Sequence, residues 1–472
     1  MRPIWFRLTA SLVLLAGSVA AADDWPRFRG PNGSGVSSST GIPAEFGPAK
    51  NLLWKTALPF SHSSPVVTGD RIFLTATEGE MLITLCLDRK TGRVRWRREI
   101  ARPRATPIYR ANDGATPSPV TDGKNVYVFF LDLGLVSYGP NGKERWRLPL
   151  GPFDTFYGLA SSPILSGNTL LLLCDARSKP FLIAVDAVSG QQRWRVERTE
   201  VRFEGYTSPV IYEPAGGPAQ VVVVGANRVD AYAVATGDHI WWVRGLAFFP
   251  VGSPVLGNGV VLFSTYGADT PMGPTFESLL KYDSNGDGRL TRQEFSVDKD
   301  MQEMADQFGA LDPNSDGFLD RAEWETLRNG AVGNYGLVAV RLGGRGDLTE
   351  GGIVWREKKT FPNMPSAILY QDVLYIVKTG GIIASMDPLT GQAFKVERTK
   401  EAMEEYYSSP VAADDKVFFI GESGKVTVLK AGPQWEILAV NDLGEEVFAT
   451  PAIAAGRIFV RTRNALYCFG KK

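Results

Sequence analysis

An all-β, eight-bladed β-propeller with four-stranded blades and a small α-helical insert in blade five is the fold this sequence predicts. Two repeating landmarks and one interruption carry that prediction. A Ser/Thr-Pro step followed by an apolar run recurs at Ser64, Ser118, Ser162, Ser208, Ser253, Ser409 and Thr450, with Pro365-Ser366 as a reversed copy. Successive intervals are 54, 44, 46, 45, 113, 43 and 41 residues, and setting aside 267–333 brings the long one back to 46. A period of that size marks one supersecondary unit stacked repeatedly.

The second landmark is a small residue, glycine, three residues and tryptophan. It reads TGRVRW (Thr91–Trp96), NGKERW (Asn141–Trp146), SGQQRW (Ser189–Trp194) and TGDHIW (Thr236–Trp241). GGIVW (Gly351–Trp355) keeps the spacing from its first glycine, TGQAFK (Thr390–Lys395) carries lysine in place of tryptophan, and Trp435 sits one residue closer to its glycine. Each unit reads as four short strands, such as SSPILSG, TLLLLCD, FLIAVDA and QRWRVER. Glycine makes the tight turn between the last two because it tolerates positive φ. The tryptophan covers the face of the neighbouring sheet. One such sheet cannot bury both faces, whereas sheets stacked around an axis can. The last unit stops at Tyr467-Cys468-Phe469, and NLLWKTAL (51–58) offers a tryptophan-bearing strand with no partners before it. The two should share a blade and close the ring.

The interruption has its own chemistry. DSNGDGRLTRQE (Asp283–Glu294) places Asp283, Asn285, Asp287, Arg289, Thr291 and Glu294 at the ligand positions of an EF-hand loop, with Gly288 at the sharp turn. A second loop, 29 residues on, repeats this with Asp312, Asn314, Asp316, Phe318, Asp320 and Glu323, and with Gly317 at the turn. Arg289 and Phe318 would ligate through backbone carbonyls and Thr291 through water. Oxygen ligands of this number suit Ca²⁺, so two Ca²⁺ ions are expected. Leu290 and Leu319 should pack where the loops pair. Phe276, Leu279, Phe295, Met304, Phe308 and Trp324 recur at helical spacing around them. The insert fits between the second and third strands of blade five because its ends lie close together.

Bulk properties narrow the function. Lys plus Arg equals Asp plus Glu at 51 each, so neither nucleic acid nor an acidic membrane surface is an electrostatic partner. Arg2 and Arg7, the apolar stretch 8–20 and the small residues 20–22 read as a signal peptide over 1–22. Its removal leaves a net charge of −2. The export target is the periplasm or the exterior. Ser18 stands where a lipoprotein leader needs cysteine, so membrane attachment would require an uncleaved leader. Residues 23–50 read as a lead segment, 51–266 and 334–472 as blades, and 267–333 as the insert. Cys86, Cys174 and Cys468 are isolated and give no disulfide framework.

No catalytic set is legible. His62 and His239 are the two histidines, too few for a histidine metal cluster. The segments entering the inner strands carry Tyr109, Tyr157, Tyr206, Phe249, Phe361, Tyr407 and Phe448, with Asp113, Glu204, Asn363, Glu405 and Glu446 nearby. These should ring the mouth of the central funnel, a lining suited to peptide, sugar or cofactor.

CLDRKTGRVRW (Cys86–Trp96), AVDAVSGQQRW (Ala184–Trp194) and SMDPLTGQAFK (Ser385–Lys395) resemble the tryptophan-docking motif of the pyrroloquinoline-quinone (PQQ)-like β-propeller superfamily. DWPRFRGPNGSGV (Asp23–Val36) is similar to the start of its secreted bacterial members. Resemblance to the BamB-like branch implies a scaffold for a protein or extended ligand at the propeller face. Resemblance to the quinoprotein alcohol dehydrogenases would imply PQQ with calcium in the funnel over a disulfide between adjacent cysteines. This chain has no adjacent cysteines and no residue set matching that site. The leading expectation is an exported, calcium-binding scaffold. The alternatives are a PQQ-dependent oxidoreductase of alcohols or sugars and a cell-surface glycan binder.

Overall fold

The computed structural model describes residues 24–108, 112–201, 203–312, 314 and 316–471. The leader read at 1–22 lies outside them. Eight antiparallel sheets follow one another along the chain, each of four strands with the innermost first in order. One sheet gains a fifth, parallel strand where Gly346–Asp347 pairs with Trp241 and Trp242. Inner strands such as Val66–Thr68 and Val411–Ala413 are short and wholly buried, while outermost strands such as Ala393–Arg398 are largely exposed. The ring closes as read from the sequence. Leu52–Ala57 pairs antiparallel with Ala465–Gly470, which continues to Arg457–Arg461 and Ala452–Ala454.

The tryptophans dock between blades. The indole N–H of Trp54 donates to Arg89 O, Trp96 to Pro140 O, Trp146 to Ala187 O, Trp194 to Val234 O and Trp355 to Pro388 O, all at 2.9–3.1 Å. Each acceptor belongs to the next blade, on the turn that holds that blade's own glycine. That glycine does more than turn the chain. A Cβ on Gly190 would lie 2.6 Å from the Trp146 ring, and one on Gly391 would lie 2.5 Å from that of Trp355. All eight sheets share a register shift in their outer pair, for example between Ala184 and Val185 opposite the residues preceding Trp194. The extra residue twists the outer strand and aims its indole at the neighbour.

Three blades depart from this joint, one of them with no tryptophan on its outer strand Glu436–Asp442. Trp241 donates instead to Gln220 Oε1 of its own blade at 2.9 Å, where the added strand Gly346–Asp347 covers it. Lys395, at the tryptophan position, places its ammonium 4.2 Å above the Trp435 ring and donates to Trp435 O at 2.8 Å. A cation–π contact thus joins those blades.

All α-helical segments fall between Phe276 and Gly330, the longest being Arg321–Gly330. They interrupt blade five between Val260–Thr265 and Gly336–Arg341. Their own core comprises Phe276, Leu279, Leu290, Phe295, Phe308, Leu319 and Trp324, among the residues spaced helically in the sequence. No helix among the described residues is long and apolar enough to cross a membrane.

Candidate functional site

The serines of the Ser-Pro steps meet at the axis. The backbone N–H of Ser64 donates to Ser118 Oγ, Ser118 to Ser162, Ser162 to Ser208 and Ser208 to Ser253, each at 2.9 Å. Ser366 donates to Ser409, Ser409 to Thr450 and Thr450 to Ser64, each at 3.0 Å. Proline after the serine holds it extended, which keeps its N–H pointing along the ring. The reversed Pro365-Ser366 still puts a serine in the ring, with Ala367 where other blades have proline.

A cavity of about 650 Å³ opens above this ring, and all eight ring residues line it. Of the funnel residues expected from sequence, Tyr157, Tyr206, Phe249, Tyr407 and Phe448 line the cavity. Phe361 packs elsewhere, buried with Leu337, Leu374 and Met386, because its loop folds back onto its blade. Asn363 and Met364 take its place in the wall. Tyr109 lies outside the described residues. His62 also lines the cavity, between the rings of Phe60 and Phe448. Burial lowers its pKa although the Asp113 charge opposes that.

The wall is braced by a buried carboxylate. Glu204 accepts from Thr155 Oγ1 at 2.8 Å, from the backbone N–H of Phe156 at 2.6 Å and from Tyr206 Oη at 3.1 Å. Burial, then the Glu204 charge, holds the Tyr206 phenol far above its usual pKa, so it stays a donor. Glu204→Ala is expected to cost about 2 kcal/mol and to raise hydrogen exchange at 154–158. Unchanged exchange there would show that the loop stands without it.

Sequence reasoning missed two walls of the funnel. The lead segment 24–50 contacts the innermost strands of several blades in turn. Trp25 exchanges backbone hydrogen bonds with Val67, Asn32 bonds the backbone of Ile211, and Phe28 reaches the cavity floor. Gly30 lies against the Trp25 ring, where a Cβ would come within 2.6 Å, at φ 67°. That contact accounts for the W…G spacing of the opening motif. The second wall is Gln307 of the insert. The insert leaves blade five, reaches over the mouth and meets blade three, where Arg177 donates to Gly309 O and Phe156 packs on Gly309. Phe248 N–H donates to Gly330 O at 3.2 Å at its base.

The insert's loops pair through an antiparallel bridge between Leu290 and Leu319, with N···O distances of 3.1 and 2.7 Å. In the first loop Asp283 accepts from the N–H groups of Gly286 and Gly288, Asp287 from that of Arg289, and Glu294 from those of Ser284 and Thr291. In the second, Asp312 accepts from Asp316 and Gly317, Asn314 from Asp316, Asp316 from Phe318, and Glu323 from Asp320. Each of these carboxylates takes one or more backbone donors, and no group of three or more His, Cys, Asp or Glu among the described residues converges as a metal cage. Glu323 Oε1, at the last ligand position, is buried without a hydrogen-bond partner among the described residues. Burial is the first cause that raises the Glu323 pKa, and the Asp320 and Asp312 charges add to it.

Closed ring, docked indoles and a hydroxyl-lined funnel define a β-propeller of the PQQ-like repeat class. The chain belongs to the family described as outer membrane protein assembly factor BamB, whose profile matches residues 48–173, 86–296 and 306–471. No curated protein is significantly similar to it in sequence. Among solved structures, BamB from Moraxella catarrhalis is similar at 13% identity and TM-score 0.55, over 89% of this chain and 97% of that one. A europium-containing methanol dehydrogenase is similar at 11% identity and TM-score 0.59, over 95% and 98%. A quinohemoprotein alcohol dehydrogenase from Comamonas testosteroni is similar at 13% identity and TM-score 0.57, over 97% and 82%. At these identities the likeness is one of fold.

The residues of this funnel do not fit a quinone held with a metal ion. Its lining has no Asp or Glu among the described residues. Cys86, Cys174 and Cys468 are buried free thiols in separate blades.

Proposed function

We propose that this chain is an exported scaffold that presents its funnel face to a protein or ligand, with a calcium-binding EF-hand pair built into that face. The observation that carries the reading is the shared mouth: propeller loops and the insert's Gln307 line one cavity. Membership of the BamB family supports the scaffold role and a periplasmic or outer-membrane-associated setting. The leader read at 1–22 supports export. The bridged loops and the unpartnered Glu323 Oε1 support two Ca²⁺ ions, on the ligand positions from Asp283 to Glu294 and from Asp312 to Glu323. Binding of the ions would use the lone pairs that the backbone donors leave free on these carboxylates.

Calcium titration of the full chain is expected to give a stoichiometry near two, with affinities of about 0.1–1 mM as in extracellular modules. Chelation should open the amides of 276–330 to hydrogen exchange and leave those of the blades protected. A titration without heat, or blade amides opening together with the insert, would sink the reading.

A further inference from the structure

Behind the floor residue Phe28 lies buried charge that nothing described so far uses. Arg27 and Arg29 flank Phe28 and are 5% and 0% exposed. Arg27 Nη2 donates to Pro209 O at 2.5 Å and Arg29 Nη2 to Ala367 O at 2.7 Å. Those carbonyls immediately follow the ring residues Ser208 and Ser366. Arg461, also buried, donates to Ser63 O at 3.0 Å and so stands beside Ser64. Carbonyls hold all three guanidiniums, and among the described residues none is paired with a carboxylate. Burial lowers Arg27 to about 9, burial and then the Arg27 charge lower Arg29 to about 9, and burial lowers Arg461 to about 10 against the opposing Asp113 charge. All three therefore remain charged at neutral pH. Cations in a low-dielectric interior without a paired carboxylate favour any anion that can approach.

The ring above them can supply the contacts. The hydroxyl oxygens linked around the ring each accept a backbone N–H from a neighbouring blade. Each hydroxyl keeps a rotatable O–H to donate, and the ring residues line the cavity. Donors converging over buried cations, in a lining without Asp or Glu among the described residues, match an acceptor-rich, negatively charged group. Above the ring, Tyr157, Tyr206, Phe249, Tyr407 and Phe448 form apolar walls suited to a flat body. The cavity, at about 650 Å³, is of small-ligand size.

We propose that the funnel binds a ligand bearing an oxyanion, a carboxylate or a phosphate, end-on, with the anion on the Ser/Thr ring and an apolar or aromatic body between the walls. This rests on reading the funnel face as a binding surface and adds the chemistry it selects. The lead segment then has a role: it delivers Arg27 and Arg29 beneath the ring.

The test uses the calcium-supplemented full chain and calorimetric titration with p-bromobenzoate, phenyl phosphate, neutral p-bromobenzyl alcohol and a neutral maltooligosaccharide. Both anions should bind at least tenfold more tightly than the alcohol or the sugar. Arg29→Gln should weaken p-bromobenzoate at least tenfold and leave the calcium titration unchanged. If that variant does not fold, wild-type crystals soaked with p-bromobenzoate decide the matter by the anomalous signal of bromine. The bromine should lie among the aromatic walls, with the carboxylate on the ring. Equal affinity for acid and alcohol, no binding of either anion, bromine outside the funnel, or a folded Arg29→Gln with unchanged affinity overturns the proposal. Tight binding of the neutral sugar alone would also overturn it, yet would keep the funnel as a binding surface.

Discussion

Trp194→Ala is expected to destabilise the protein by about 3–5 kcal/mol, the range for removing a buried aromatic side chain. The indole is 9% exposed, closes the joint between two blades and donates to Val234 O at 3.0 Å. Truncation leaves a slot between sheets that cannot collapse, because both sheets are fixed by the closed ring. The partner substitution tests the geometry. Gly237→Ala puts a Cβ 2.8 Å from the Trp194 ring at φ +80°. Alone it should be severely destabilising, through the clash and the left-handed backbone together. In the Trp194→Ala background the clash disappears, and only the backbone cost of about 1–2 kcal/mol remains. The urea midpoint of the double variant should therefore lie well above the value expected from adding the two single effects. Additive losses would mean that indole and glycine act independently, and the docking account would fail.

This joint also explains why so much of the fold could be read from the chain. Five of the eight blades meet the next through the same indole, the same glycine and the same turn carbonyl, so the same residues must recur at one spacing. Where the joint changes chemistry, the pattern changes with it: Lys395 stands over Trp435, and Trp241 bonds within its own blade. The insert's core was legible for a similar reason, since Phe276, Leu279 and Phe308 keep helical spacing. The funnel was legible only in part. Aromatic loop residues that line a cavity and those that pack a loop look alike in sequence, so Phe361 could not be told from Phe448. The serines were visible as landmarks, but their hydrogen-bonded ring needs closure across the whole chain, as between Thr450 and Ser64. Arg27, Arg29 and Gln307 enter from outside the repeat and carry no periodic signal. Their role follows from where the lead segment and the insert come to rest.

Arg198→Met should cost about 3–5 kcal/mol, the range for breaking a buried ion pair from one side. Arg198 Nε donates to Asp175 Oδ1 at 2.8 Å and Nη1 to Asp230 Oδ2 at 2.9 Å, and all three side chains are at most 1% exposed. At Asp175 desolvation outweighs Arg198 and holds the carboxyl above its usual range. At Asp230 desolvation pushes the same way, but Arg198, the hydrogen bond from His239 and the Arg228 charge outweigh it, and the carboxyl sits below its usual range. Without Arg198 both carboxylates would be desolvated and less well paired, and their folded-state pKa values would rise above the unfolded ones. The folded state then binds protons more readily than the unfolded chain, so stability falls as pH rises through those raised values. The penalty should accordingly be larger at pH 8 than at pH 5, whereas the loss of an exposed pair, whose carboxylate is ionised at both values, would be flat between them. A penalty that is flat with pH, or below about 1 kcal/mol as for an exposed pair, would sink this account. The consequence reaches the site, because Asp175 O accepts the N–H of Gly205 at 3.0 Å and so fixes the segment that carries Glu204 and Tyr206 to the funnel. A variant that still folds at pH 5 should therefore show faster exchange at 201–206 and a loosened wall beside Tyr157, while the serine ring, built from other blades as well, keeps its protection.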